Sequence, residues 1–170
     1  MKKTKQNKST SLADPCLTDF MYICDNLAED EQRQFAALSG VPFDPDNAAI
    51  NCQLAPGPKW VMLAEDGRPL AVGGYSQIRK GVWQSWMLAP ESSWESHGTE
   101  ITEHVNIVRK QMQKQGHRLQ TLVLSDRAKA RAWYGRIGLE HEGTLRAYGA
   151  NGEDIEMYST ITEESVIQRV

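Results

Sequence analysis

"GVWQSWMLAPESSWESHGTEITEHVNIVRKQMQKQGHRLQTLVLS", residues 81 to 125, decides the fold. Its first part, "GVWQSWML" (81–88), is rich in β-formers and reads as a strand. Ile101, Val105, Val108 and Met112 then recur at steps of four, three and four, which lays one apolar stripe along a helix ending near Gly116. "RLQTLVLS" (118–125) reads as a buried strand. A helix between residues 88 and 119 most economically joins two parallel strands as a right-handed crossover.

Upstream, "KWVMLAEDGRPLAVGGYS" holds two β-rich runs around Asp66-Gly67, a turn pair whose glycine tolerates the positive φ of a hairpin. With residues 81–88 they make an antiparallel meander. Before them, Phe20, Ile23, Cys24 and Leu27 follow helical spacing, and a second helical stretch opens at Asp30, carries Phe35 and Leu38, and stops at Gly40. Residues 41–58 are broken by Pro42, Pro45, Pro56 and Pro58, with one helical turn over "DNAAINC" between them. Downstream, "DRAKARAWYGRIG" predicts a helix of about three turns. Ser125 or Asp126 would cap it, Ala130, Trp133, Tyr134 and Ile137 share one side, and Gly138 stops it. "HEGTLRAYGANGEDIEMYST" is a hairpin around Asn151-Gly152. The expectation is an α/β chain with a central mixed sheet flanked by helices. It forms one domain over residues 11–162, between a basic tail (1–10) and a C-terminal tail (163–170).

Composition narrows the function classes. A net charge of −3 argues against broad nucleic-acid binding, which needs a basic surface to release counterions from phosphates. The sequence has no apolar run of about 18 residues, so no membrane span is expected. "MKKTKQNKST" has lysines but no apolar segment after them, so it reads as a solvated tail rather than a secretory signal. Cys16, Cys24 and Cys52 are an odd set without ligand spacing, which supports neither a disulfide framework nor a zinc site and suits a reducing cytoplasm. His97 and His104 lie seven residues apart, too far for one metal ion without further ligands, and no metal is expected.

The element order, together with "ARAWYGRIGLEHEGTLRAYGANGEDIEMYS" (130–159), resembles the GNAT superfamily of acyl-CoA-dependent N-acyltransferases, whose fourth helix carries the pattern seen here at Tyr134, Gly138 and Leu139. "DGRPLAVGG" (66–74), the Trp-bearing third strand, a crossover without a glycine-rich loop, and "RAWYGRIGL" (131–139) are similar to GNAT-like proteins of tailed phages that include internal virion protein A. These likenesses imply transfer of an acetyl or other acyl group from acyl-CoA to an amine on a small molecule or protein. The narrower one implies a phage-encoded protein in the host cytoplasm or the particle. Its alternative is a catalytically lapsed module whose Trp83, Trp86 and Trp94 engage a virion or host protein.

The implied chemistry needs an acid for the departing thiolate, and Tyr134 occupies the family position for it. Its place on an apolar helix face fits a core tyrosine equally well. The superfamily usually holds the CoA pyrophosphate with a Gln/Arg-x-x-Gly-x-Gly/Ala loop before the crossover helix. Here "SSWESHGTE" (92–100) replaces it, with one glycine, the bulky Trp94, and carboxylates at Glu91, Glu95, Glu100 and Glu103. Leu88, Ser96, His97, Gly98 and Thr99 are the implied cofactor contacts in a shifted register, with helix capping by Ser96 or Thr99 as the plainer reading. Arg127 and Arg131, in a cluster with Lys129 and Arg136, would meet CoA phosphates or simply solvate the helix. Gln84 and Ser85 stand where a base is often found and are not competent. Glu91 or His97 would serve if they face the cleft.

Overall fold

A computed structural model describes residues 9–162. The chain opens with a short strand, β1 (Thr10–Ala13), followed by α1 (Leu17–Asp25) and α2 (Glu29–Ser39). Asp19 closes the start of α1 by accepting the Cys16 N–H at 2.8 Å. Three acidic residues fill the first turn of α2, and Gly40 ends it in the left-handed conformation at φ 79°. α3 (Pro45–Leu54) is capped by Asp44, which accepts the Asn47 N–H at 2.9 Å. The meander follows: β2 (Lys59–Ala64), β3 (Pro69–Arg79) and β4 (Val82–Leu88), then α4 (Glu91–Met112), a 3₁₀ turn over Gln113–Gln115 and β5 (Arg118–Leu124). α5 (Ala128–Arg136), β6 (Glu140–Leu145) and β7 (Ile155–Ile161) complete the order.

The strands form one mixed sheet in the order β1-β2-β3-β4-β5-β7-β6, antiparallel except for the parallel pair β4–β5 made by the α4 crossover. Period-2 alternation sends neighbouring side chains to opposite faces. Val61, Val72 and Leu88 pack against α1 and α3 through Phe20, Ile23, Cys24, Ala48, Ala49 and Cys52. On that same face Leu122, Leu124 and Ile155 meet Ala37 of α2. Met62, Ala71, Val123 and Tyr158 face the other way, against Ile101 and Val105 of α4, Trp133 of α5 and Ile137 just past its end. Among the described residues, no helix is long and apolar enough to cross a membrane.

Five local expectations need correction. Thr10 belongs to β1, which pairs with β2 and is tied to α4 by a 3.0 Å contact between the Thr10 hydroxyl and His104 Nε2, so the tail does not reach residue 10. Residues 1–8 of that basic tail and the C-terminal tail lie outside the described residues. The single turn over "DNAAINC" is a helix of 10 residues, because Asp44 and Pro45 start it cleanly and Ala48, Ala49 and Cys52 give it a buried side. Neither Ser125 nor Asp126 caps α5; the Ser125 hydroxyl donates to Glu156 at 2.6 Å, and Asp126 takes a two-pronged bond from Arg33 at 2.6 and 3.0 Å. α4 begins at Glu91 after Pro90 and is broken at His97, so the residue that opens its longer second run is His97, with Ser96 before it and Thr99 inside the run, and the Ser96 hydroxyl goes back to the Ser92 carbonyl. β6 and β7 pair as the expected hairpin around Asn151-Gly152, but through the longer 146–154 connection rather than a tight turn.

Candidate active site between β4 and β5

β4 and β5 pair over a short length only: Val82, Trp83 and Gln84 against Arg118, Leu119 and Gln120. Each strand stays paired with its outer neighbour beyond that point, β4 with β3 as far as Leu88 and β5 with β7 as far as Leu124. The inner edges therefore diverge. Side chains bridge the throat of the V: the Ser85 hydroxyl donates to the Gln120 carbonyl at 3.4 Å, and Thr121 Oγ1 donates to the Ser85 carbonyl at 3.3 Å. Past them, two strand edges carry peptide groups without a ladder partner from the opposing strand.

Two cavities meet at this opening. A small one of about 30 Å³ lies in the V, with Ser85, Thr121, Tyr75 and Arg109 in its lining. A groove of about 830 Å³ runs outside it, between the starts of α2 and α4 and along α5. Met87, Trp133 and Tyr134 line both. Tyr134 is half-buried, its ring set between Trp133 (centroids 5.4 Å) and Tyr158 (5.7 Å). Burial raises its phenol pKa, against a hydrogen bond with Thr121 that lowers it, so the hydroxyl is protonated across the neutral range. An uncharged phenol at the junction of two cavities is placed to donate a proton.

The groove wall opposite α5 is held by ion pairs. Arg127 extends Nε to Asp30 at 2.9 Å and Nη2 to Glu31 at 2.7 Å, clamping the first turn of α2 to the loop after β5. Burial pushes the Glu31 carboxyl up, opposed by the Arg127 charge and hydrogen bond, and Glu31 Oε2 is buried without a hydrogen-bond partner. On the other side Glu91 stands 4.0 Å from Lys129.

The residues expected to touch a cofactor scatter around this geometry. Arg127 lines the groove, but its guanidinium is engaged by two carboxylates. Arg131 lies off the groove, its Nη1 donating to the Ser125 carbonyl at 2.8 Å. The Leu88 side chain is buried in the α1–α3 core. Ser96, His97, Gly98 and Thr99 sit one to two turns into α4 and do not line the groove. The Ser96 hydroxyl donates to the Ser92 carbonyl at 2.6 Å and contacts His97 Nδ1 at 2.8 Å, while His97 is the break in α4 (φ −138°, ψ 23°). Residues 91–96 thus form a helical turn of their own ahead of the break. Trp94 closes that turn edge-on to Trp133 at 5.2 Å, and Trp133 Nε1 donates to Thr102 Oγ1 at 3.0 Å. Trp83 donates to the Gln115 carbonyl at 3.3 Å and Trp86 packs by Phe20 at 6.3 Å, so these three tryptophans join the packing rather than form an exposed patch.

Of the two bases considered, Glu91 faces the groove and His97 does not. Sequence reasoning misses Glu31, whose pairing with Arg127 spans 96 residues. It also misses Arg109, one turn beyond Val105 on the apolar stripe, where a charge is out of place.

The fold as a whole superposes on solved acetyltransferases. An acetyltransferase of the GNAT family from Bacillus anthracis superposes with a TM-score of 0.70 at 8% identity, over 91% of this chain and 96% of the other. The chain has the GNAT fold. A spermidine N-acetyltransferase from Vibrio cholerae gives 0.70 at 12% identity (92% of this chain, 96% of the other). A phosphinothricin acetyltransferase from Sinorhizobium meliloti, solved in complex with AcCoA, gives 0.65 at 16% identity (91% and 89%). No family model and no curated protein matches the sequence. At these identities the likeness is one of GNAT fold.

Proposed function

We propose that the protein is an acyl-CoA-dependent N-acyltransferase working at the β4–β5 opening. The observation that carries this reading is Tyr134, a neutral phenol shared by a groove large enough for a cofactor and by the cavity inside the V. The open strand edges suit the amide-bearing arm of CoA, because an extended chain adds to an unpaired edge through main-chain hydrogen bonds. When bound, acyl-CoA supplies a thioester whose acyl group passes to an amine as the thiolate leaves. Tyr134 would donate the proton that the thiolate takes up, and Lys129 and Arg136 of the α5 wall would meet phosphate charge. Of the carboxylates on the groove, Glu91 and Glu31 would take the proton of the acceptor's ammonium, leaving the free amine to attack the thioester carbonyl.

Calorimetry with acetyl-CoA tests the reading. Binding in the micromolar range, weakened by Lys129→Ala with Arg136→Ala, is expected; no heat at millimolar ligand would refute it.

The helical turn 91–96, shut by Trp94 on Trp133, supports a second reading in which the fold persists as a catalytically lapsed module binding a virion or host protein. Both readings extend, through the sequence likeness to internal virion protein A, to a phage-encoded protein of the host cytoplasm or virion. Mass spectrometry of purified particles decides that point, since the chain is either packaged or absent.

A further inference from the structure

Arg109 points to the kind of acyl group. It sits one turn past Val105 on the sheet-facing side of α4 and lines the cavity inside the V. Its guanidinium is half-buried, yet it bonds only to neutral amide oxygens: Nη1 donates to Gln113 Oε1 at 3.1 Å and Nη2 to Asn106 Oδ1 at 3.5 Å. Nε is buried with no acceptor, and no carboxylate among the described residues lies within ion-pair distance. The neighbouring Tyr75 is no counterion, because burial outweighs the Arg109 charge and pushes that phenol up to about 12. Arg33, Arg118 and Arg127 each hold a carboxylate, whereas Arg131, whose Nε is likewise buried without an acceptor, gives Nη1 to the Ser125 carbonyl and lies off the cavity. A half-buried cation left with neutral partners is costly unless something anionic completes it.

The cavity offers about 30 Å³, the room of roughly two waters and thus of a carboxylate group. It lies beyond Tyr134 from the groove, on the path that an acyl chain would take once the thioester stood at that phenol. Ser85 and Thr121 share the lining with their hydroxyl protons given to the Gln120 and Ser85 carbonyls, which leaves Arg109 as the cavity's cation. Resting on the acyltransferase reading, we propose that Arg109 is a specificity-determining residue that receives the terminal carboxylate of a short dicarboxylic acyl group, so that the preferred donor is a carboxyacyl-CoA of the malonyl or succinyl type rather than acetyl-CoA.

Calorimetric titration of the full chain with acetyl-CoA, malonyl-CoA and succinyl-CoA tests this without requiring turnover. A carboxyacyl thioester should bind at least about tenfold more tightly than acetyl-CoA, a charge-assisted pair in a dry site supplying that much. Arg109→Gln should abolish the preference, so that within that variant the carboxyacyl thioesters bind no more tightly than acetyl-CoA, while Arg109→Lys, which keeps the charge but loses the fork, should retain part of it. Equal affinity for all three thioesters in the wild type overturns the proposal but leaves the acyltransferase reading standing, and this arm needs no variant to fold. The proposal is likewise overturned if affinity instead rises when an α-amino acid acceptor is added to acetyl-CoA and falls with its amide, which would give Arg109 to the other substrate. Absence of binding by every CoA thioester removes both readings together.

Discussion

The two walls of the groove are built on different terms. The α5 wall carries Tyr134 on a helix whose Trp133, with Ile137 just past the helix end, is buried in the main core, so the phenol is fixed by packing. The α4 wall presents a helical turn, Glu91 to Ser96, that ends at the break at His97 and places a carboxylate beside Lys129. One wall fixes a phenol by core packing; the other presents a helix start already met by negative charge. The difference teaches that the first wall depends on the main core and the second on charges local to its own turn.

Trp133 joins the two walls, and removing it is the largest break. Its ring meets Trp94 and Tyr134, and its Nε1 bonds Thr102. Trp133→Ala should cost about 3–5 kcal/mol of unfolding free energy, the range for truncating a large buried aromatic. Urea unfolding measures it; a loss below about 1 kcal/mol would mean that the walls stand independently.

Tyr134→Phe asks whether the α5 wall does chemistry or only packs. As an acid, Tyr134 should be worth roughly 10²-fold in kcat with affinity for the donor thioester little changed. Losing its bond with Thr121 should cost stability only about 1 kcal/mol. Equal turnover in the two proteins would reduce Tyr134 to a wall residue.

How much of this is legible in the sequence depends on how local the cause is. α4 and α5 announce themselves by apolar spacing, and the β2–β3 hairpin by Asp66-Gly67, because neighbours in sequence settle those choices. β1 has four residues, none of them buried, and so offers no alternation to read. Ser125 and Asp126 look like caps, but Glu156 and Arg33, 31 and 93 residues away, claim their side chains. Arg127 looks free for phosphate in the sequence, and only the fold reveals Asp30 and Glu31 as its partners. Arg109 is the opposite case: a charge one turn past Val105 on the apolar stripe is visible in the spacing, and the stripe itself draws attention away from it.

Acid titration sharpens the comparison from behind the α5 wall. Glu156, on β7, is 4% exposed; burial raises its pKa, but hydrogen bonds from Ser125, His141 and Thr144 and the Arg131 charge outweigh it and hold the carboxyl at about 2. A depressed carboxyl stabilises the fold above its ordinary value of 4.5, and that contribution is lost as pH falls from there toward about 2. The expected loss is of the order of 3 kcal/mol. Unfolding free energy followed from pH 6 to about 2 should fall less steeply in Glu156→Gln than in the wild type. Parallel curves would show that other carboxyls carry the acid limb.

The smallest effect addresses the α4 wall. Glu91 is the first residue of α4, on the groove, where its carboxylate both meets the positive end of the helix and opposes an approaching phosphate. The two roles predict opposite signs for Glu91→Gln: stability should drop by about 0.3–1 kcal/mol while acyl-CoA affinity rises by a factor of about 2–5. Both changes should shrink with added salt, since the residue is exposed and its charge is screened. Calorimetry at two ionic strengths reads the affinity and thermal unfolding reads the stability. Affinity that falls together with stability would mean that Glu91 organises the donor seat rather than crowding it, and the two walls would then be less different than their sequences suggest.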